Sequence, residues 1–301
     1  MSATRHGGPR NDEDAALLRA LIDDQIAAVQ RVAAASDRLC AAADEVATAL
    51  RAGGRLIYLG AGASGALAFQ DGAELPGTFG LDPKILAFVS PAAAASGALA
   101  DSAGEDDEPA GRRAIEALQP GANDLVFAVS ASGSTPFTLA GARAAKAMGA
   151  RVVALVCRAG APLLACADVG VLIETGPEAV EGSTRLGAGT AQKAALGVIS
   201  TLACARLGHV HRGLMVNLRP DNAKLRERAA RIVARLGEVD EEAAAAALGA
   251  ADYDVKAAVV AAAGRLDAPS AKALLAACDG DLKRALARAP AHGNAQFQPR
   301  A

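Results

Sequence analysis

Arg55-Leu-Ile-Tyr-Leu-Gly-Ala-Gly-Ala-Ser-Gly65 is a short apolar run that passes into small residues. Asp124-Leu-Val-Phe-Ala-Val-Ser-Ala-Ser-Gly-Ser-Thr-Pro136 has the same form, with Pro136 suited to the first turn of a helix. Each reads as a buried strand giving way to a helix. Such a junction presents backbone N–H groups and hydroxyls at the positive end of a helix dipole, a setting that suits phosphate. Two of them in one α/β sheet predict a phosphorylated small molecule held at the carboxyl ends of the strands.

Further apolar runs at Ile85–Val89, Val152–Val156 and Val169–Ile173 join Leu56–Leu59 and Leu125–Val129. They are apolar throughout rather than alternating, as strands covered on both faces are. Helical stretches fall between them at Ser64–Asp71, Pro109–Leu118, Thr135–Met148 and Arg185–Leu207. This alternation predicts an α/β fold, a three-layer α/β/α sandwich on a five-stranded parallel sheet. Ahead of it, the stretch from Asp12 to Ala52 carries Leu17, Leu18, Leu21, Ile22, Ile26, Val29 and Val32 at helical spacing. After Asn217 the strand signal stops, and Ala223–Leu236, Glu241–Ala250, Val255–Ala263, Ser270–Ala277 and Leu282–Ala287 read as short helices. Asp240-Glu-Glu and Asp267-Ala-Pro-Ser supply capping-type starts. The expected division is an N-terminal helical arm (1–52), an α/β phosphate-binding domain (53–217), a small helical C-terminal lobe (218–289) and a loose polar tail (290–301).

The 301 residues can bury a substantial core, and a formal net charge of −2 provides no basic field for nucleic acid. Only 3% of residues are aromatic and none is Trp, which disfavours a base-stacking platform. Cys40, Cys157, Cys166, Cys204 and Cys278 are scattered with no Cys-x-x-Cys pair, and read as small buried hydrophobes. The polar start Met-Ser-Ala-Thr-Arg-His-Gly-Gly lacks the apolar core of a signal peptide. With no run of about 18 apolar residues, no membrane span is expected. The expectation is a cytoplasmic protein.

Between the two Ser/Gly loops lie the candidate acids and bases. Glu74 stands in Asp71-Gly-Ala-Glu-Leu-Pro-Gly-Thr-Phe79, expected just past the helix that follows the first loop. Glu105 stands in Ser102-Ala-Gly-Glu-Asp-Asp-Glu108, ahead of a helix. Taken alone, either reads first as a solvated surface charge. Glu74 is isolated among Gly, Ala, Leu and Pro, and an apolar setting would raise its pKa and suit it to general-acid work. A third element, Glu181-Gly-Ser-Thr-Arg-Leu-Gly-Ala-Gly-Thr-Ala-Gln-Lys193, opens a long helix. Its Ser183, Thr184 and Arg185 could contact a sugar or phosphate, or serve as an N-cap with surface cations. His209 and His211 have no Cys or carboxylate at metal-ligand spacing, so no metal site is expected.

Four segments resemble the N-acetylmuramic acid 6-phosphate etherases, within the sugar isomerase (SIS) domain proteins. Leu59-Gly-Ala-Gly-Ala-Ser-Gly-Ala-Leu67 resembles that family's Gly-Ala-Gly-Thr-Ser-Gly-Arg-Leu. Ala73-Glu-Leu-Pro-Gly-Thr-Phe-Gly80 resembles Ser-Glu-Cys-Pro-Pro-Thr-Tyr/Phe-Gly, and Ala131-Ser-Gly-Ser-Thr-Pro-Phe137 resembles Ala-Ser-Gly-Arg-Thr-Pro-Tyr. Gly182-Ser-Thr-Arg-Leu-Gly-Ala-Gly-Thr-Ala-Gln-Lys193 resembles Gly-Ser-Ser-Arg-Met-Lys-Ala-Gly-Thr-Ala-Gln-Lys. This chain departs at three family cations, with Ala66, Ser134 and Gly187 in their places.

The resemblance implies the SIS fold and a cofactor-independent lyase acting on the lactyl ether of N-acetylmuramate 6-phosphate. The family's catalytic pair falls on Glu74 and Glu105, with Glu105 as base at C2 and Glu74 as acid on the departing lactate oxygen. The hydroxyl-rich junction assigns the phosphate to Ser130, Ser132, Ser134 and Thr135 with the backbone of Gly133, and leaves Ser64 and Ser183 facing the sugar. Gly65, Glu181, Thr184, Arg185 and Lys193 complete the expected substrate contacts. A homodimer is implied as well, with Ala191–Leu207 and the N-terminal arm as candidate contact surfaces. Two other readings stay open at this point: a sugar-phosphate sensor like glucokinase regulatory protein, and a phosphosugar isomerase.

Overall fold

The computed structural model describes residues 11–91 and 104–290. Within them the chain forms two compact units, one running to Ala73 and resuming over Lys84–Leu202, the other comprising Glu74–Pro83 and the residues from Ala203 onward.

The first unit opens with α1 (Asp12–Ala34) and α2 (Ser36–Arg51). Asn11 caps α1 by accepting a hydrogen bond from Asp14 N–H, and Asp12, Glu13 and Asp14 in the first turn suit its dipole. The single expected helical stretch is broken at Ala35. There the Ala35 N–H and the Ser36 hydroxyl both donate to the Ala33 carbonyl.

Strands β1 (Leu56–Gly60), β2 (Leu86–Val89), β3 (Leu125–Val129), β4 (Arg151–Val156) and β5 (Val169–Leu172) pair in the order β2-β1-β3-β4-β5, every pairing parallel. Helices α3 (Gly62–Phe79), α4 (Glu108–Leu118), α5 (Pro136–Ala147), α6 (Pro162–Cys166) and α7 (Gly187–Arg206) fill the crossovers and close the unit. Every residue of β1 and β3 is buried, which is why neither alternates in sequence. One face of the sheet, with Ile57, Leu59, Val126 and Ala128, packs on Ile115, Phe137, Leu139 and Leu163 from α4, α5 and α6. On the other face Tyr58 stacks between Phe88 and Phe127, at ring separations of 5.7 and 5.9 Å. The expected three-layer sandwich on a five-stranded parallel sheet is the observed fold.

Asp71, buried on α3, ties that layer together. It accepts a 2.6 Å hydrogen bond from Tyr58 Oη on β1 and a 2.9 Å bond from Ser200 Oγ on α7. Helix α3 runs well past the expected end at Asp71. Pro76 lies inside it, and the helix stops only at Gly80, in the left-handed conformation. Glu74 therefore sits on a helix rather than in the loop expected of it.

In the second unit, β6 (Val210–His211) and β7 (Leu214–Met215) form a two-stranded antiparallel hairpin too short to read in advance. Five helices follow: α8 (Ala223–Gly237), α9 (Glu241–Ala250), α10 (Val255–Gly264), α11 (Ala268–Ala276) and α12 (Leu282–Arg288). Each begins on an Asn or Asp side chain that accepts a backbone N–H three residues on: Asn222, Asp240, Asp254, Asp267 and Asp281. Helix α10 is the core of this unit, with Val255–Ala261 buried all round. Apart from Pro290, the expected tail lies outside the described residues. Among the described residues no helix is long and apolar enough to cross a membrane.

Candidate active site

The second Ser/Gly loop leaves β3 at Ser130 and enters α5 at Pro136. Its first two residues are pinned to β4 and the residue after it, Ser130 N–H donating to the Leu155 carbonyl and Cys157 N–H to the Ala131 carbonyl. Gly133 has φ +63°, and a Cβ there would collide with Ala161 and stand 2.8 Å from Val156 Cγ1, so only glycine lets the loop turn against β4 and α6. On this frame the hydroxyls gather. Ser130 Oγ lies 2.9 Å from Thr135 Oγ1 and 3.4 Å from Ser132 Oγ, and Ser134 Oγ donates to Ser132 Oγ at 3.1 Å. Gly133 N–H donates to Ser130 Oγ at 3.0 Å. The hydroxyls are bonded largely to one another, so their protons can swing to an incoming anion without breaking a bond to the protein core.

The first loop is built by close approach instead. Helix α3 begins immediately after β1, and its Ser64 Oγ donates to Gln192 Oε1 on α7 at 3.0 Å. Gln192 is almost wholly buried, and its Nε2 has no partner. Gly62, with φ +52°, is the first residue of α3. A Cβ on it would collide with Glu105 Oε1 and lie 3.3 Å from Glu105 Cδ, so the carboxyl of Glu105 occupies the space that a side chain at 62 would take.

Glu105 is held there by its own backbone, which accepts a 2.9 Å hydrogen bond from Phe137 N–H in the first turn of α5. The turn at residues 104–106 thus links the starts of α3 and α5, the two helices that the Ser/Gly loops open. Burial, and secondarily the charge of Asp106, hold the Glu105 carboxyl above the ordinary glutamate value. Glu74 is exposed on α3 within this chain, not enclosed by apolar groups.

At the ends of β3, β4 and β5 lies a cleft of about 650 Å3. Ser132 and Thr184 line it together with Arg31, Cys157, Arg158, Glu174 and Glu178. Arg185 and Lys193 do not face this cleft. They line a second one of about 490 Å3 with Ala63, Ala66, Leu67 and Gln70. Ser183 is half-buried and Glu181 exposed in the turns before α7.

The residue that caps α7 is Glu178, which sequence reasoning missed. It accepts from Gly187 N–H at 2.7 Å and Ala188 N–H at 3.0 Å, so this helix start is already filled by a carboxylate. Its place nine residues ahead of the helix gives no local signal. Gln192 lies in the Gly182–Lys193 motif, where the charged neighbour Lys193 is the more visible signal. Cys157 is buried, and burial pushes its thiol up to about 12, which keeps it protonated. Cys204 and Cys278 are buried too, Cys166 partly, whereas Cys40 is exposed because the inward position on that turn of α2 belongs to Leu39. Burial lowers His209 to about 4, leaving it neutral.

The sequence matches the SIS domain family over residues 22–157, and a second SIS domain family over residues 117–201. It is 45% identical over 243 residues to an N-acetylmuramic acid 6-phosphate etherase of Deinococcus radiodurans, spanning 81% of this chain and 80% of that one. The chain belongs to the N-acetylmuramic acid 6-phosphate etherase family. A second etherase of this name, from Rubrobacter xylanophilus, is 41% identical over 243 residues, 80% of each chain. Among solved structures, a protein of E. coli CFT073 shares the fold at TM-score 0.50 and 18% identity, over 68% of this chain and 96% of that one. In this etherase-family chain the hydroxyl loop, the Gly62–Glu105 contact and the Ser132 cleft all stand at the carboxyl end of one parallel sheet, where ligands of such folds bind.

Proposed function

We propose that this chain is an N-acetylmuramic acid 6-phosphate etherase, cleaving the lactyl ether of its substrate to give N-acetylglucosamine 6-phosphate and D-lactate. The observation that carries the reading, beyond the 45% identity to a named etherase, is the seating of the Glu105 carboxyl against Gly62 at the start of α3. A surface charge has no need of a glycine opposite it; a base that must reach a ligand at the loop does.

The chemistry follows from the open-chain sugar. Its aldehyde at C1 acidifies the C2 hydrogen, so a positioned carboxylate can remove it. Glu105 takes that proton while the C3–O bond breaks, and Glu74 gives its proton to the lactate oxygen. The product of this step is lactate and a sugar unsaturated between C2 and C3. Water then adds across the double bond: its hydroxyl goes to C3, Glu74 takes the proton it loses, and Glu105 returns a proton to C2. Atoms and protons balance with two carboxyl groups. The raised pKa of Glu105 also suits it to hold a proton between the two half-reactions. Ser130, Ser132, Ser134, Thr135 and the backbone of Gly133 hold the phosphate, with Ser64, Gly65, Glu181, Ser183, Thr184, Arg185 and Lys193 as the remaining substrate contacts.

The working form is a homodimer in this reading. Its support is a stripe on α1 in which Leu17, Leu18, Ile22, Ile26 and Val29 stand 47–52% exposed, with Val198 of α7 also exposed. A contiguous apolar helix face of this size is unusual on a monomer. Light scattering at micromolar concentration should give twice the chain mass, and a fully active monomer would reject a shared site. A charged sugar phosphate does not cross a bilayer unaided, which favours a cytoplasmic enzyme.

Incubating the purified protein with N-acetylmuramate 6-phosphate and assaying D-lactate tests the function. Stoichiometric lactate is expected. Tight binding of the sugar phosphate with no lactate would instead make the chain a sensor.

A further inference from the structure

A sugar phosphate carries a dianion, and the loop that receives it here has hydroxyls but no cation: Ser130, Ser132, Ser134 and Thr135. Ala66, Ser134 and Gly187 stand where the resembled motifs carry cations, and Arg185 and Lys193 line the other cleft. The positive end of α7 is occupied by the Glu178 carboxylate. The amides and hydroxyls of the loop can hold a phosphate, and a cation beside them would also offset its charge.

Among the described residues, the cations lining the cleft that Ser132 enters are Arg31 and Arg158, and they differ in commitment. Arg31 Nη1 donates to the Glu174 carbonyl at 2.5 Å, pinning α1 to the segment after β5. Arg158 makes no hydrogen bond or ion pair among the described residues, unlike Arg55 and Arg151, each bound to a carboxylate. It is also exposed, so an incoming anion meets it without displacing a partner. Its backbone position is fixed relative to the hydroxyl loop, because Cys157 N–H donates to the Ala131 carbonyl at 2.9 Å, one residue before each of Arg158 and Ser132.

We propose that Arg158 is the phosphate-reading cation of this chain, closing on the 6-phosphate from the β4 side while the Ser130–Thr135 hydroxyls hold it from the β3 side. The inference rests on the sugar-phosphate reading above and specifies which side chain neutralises the anion. Arginine fits the task, since its planar fork can give two parallel hydrogen bonds to phosphate oxygens. The lactyl carboxylate is the other anion of the substrate, and the test separates the two.

The measurement is the affinity of the full-length protein and its Arg158→Gln and Arg158→Lys variants for N-acetylglucosamine 6-phosphate, which has the phosphate and no lactyl group, alongside kcat/KM for lactate release from N-acetylmuramate 6-phosphate. Because Arg158 is exposed and makes no contact of this kind, both variants should fold with unchanged melting temperature. Arg158→Gln should weaken the 6-phosphate product and lower kcat/KM alike by roughly ten- to hundredfold, the worth of a charge-assisted hydrogen bond. Arg158→Lys should lose less, and unphosphorylated N-acetylglucosamine should bind each protein equally. Unchanged affinity for the 6-phosphate in Arg158→Gln would overturn the assignment. So would a loss confined to the lactyl-bearing sugar, which would make Arg158 a carboxylate reader. The two readings fail separately: a native protein that binds the 6-phosphate but releases no lactate overturns the etherase reading, with the affinity arm still deciding Arg158.

Discussion

The two strand-to-helix loops are written in the same small residues, and the structure puts them to different uses. In the loop after β3, Gly133 lets the chain turn against Val156 and Ala161, and the side chains around it are hydroxyls bonded to one another. In the loop after β1, Gly60 and Gly65 face each other so closely that a Cβ on Gly65 would lie 2.7 Å from the Gly60 carbonyl. There Gly62 leaves its space to a carboxyl arriving from another crossover. One loop offers its own side chains; the other withholds them so that Glu105 can stand in. Glycine-rich loops of equal appearance can thus present their own side chains or make room for one from elsewhere, and only the neighbours across the sheet distinguish the two.

The largest effect is expected at Glu105 itself. Glu105→Gln should lower lactate release by about 10²–10⁴-fold, the usual worth of a general base, with sugar-phosphate affinity retained. A variant within threefold of native activity would remove Glu105 from the chemistry. Next in size is Gly62→Ala. The new methyl both strains a left-handed position, at about 1–2 kcal/mol, and displaces the carboxyl, and a displacement near 1 Å can cost on the order of 10²-fold in rate. Gly53→Ala is the control, for it also has positive φ (+74°) but open space around it. It should lower the melting temperature similarly and leave kcat untouched; equal kcat losses in both variants would show that Gly62 matters for the backbone alone.

Smaller effects belong to the second loop. Ser132→Ala combined with Thr135→Ala removes two hydrogen bonds to an ionised phosphate and should weaken the 6-phosphate by roughly ten- to hundredfold, leaving the unphosphorylated sugar unchanged. Equal losses for both ligands would argue against a phosphate role. The smallest expected change is in pH dependence. Glu105 works as a base only when ionised, and burial together with Asp106 raises its pKa, so the acid limb of kcat/KM should sit above the ordinary glutamate range. Asp106→Asn removes one of the raising causes and should move that limb to lower pH. A limb that stays in place, or moves up, would mean another group controls it.

Much of the frame was legible because its cause is local. The apolar runs of β1 and β3 are buried on both faces, and their sequence says so. The Asp240 and Asp267 caps were equally plain. Helix α3 was misjudged at its end because Leu75-Pro76-Gly77 looks like a terminator, yet the helix carries on past Pro76 to Phe79. That carried Glu74 from a loop onto an exposed helix face. The hydroxyl cluster could be read from Ser130-Ala-Ser-Gly-Ser-Thr135, since all its members come from one turn. Glu178, Gln192 and Arg158 could not, because each acts on a segment brought near only by the fold.

The account stands on Glu105 and Glu74 doing separate jobs, and turnover in deuterated water reads both at once. Native protein acting on N-acetylmuramate 6-phosphate should yield D-lactate and N-acetylglucosamine 6-phosphate carrying deuterium at C2. Glu105→Gln should abolish exchange at C2 and lactate together, whereas Glu74→Gln should retain some C2 exchange while releasing little lactate. Undiminished C2 exchange in Glu105→Gln, or near-native lactate from both variants, would contradict it.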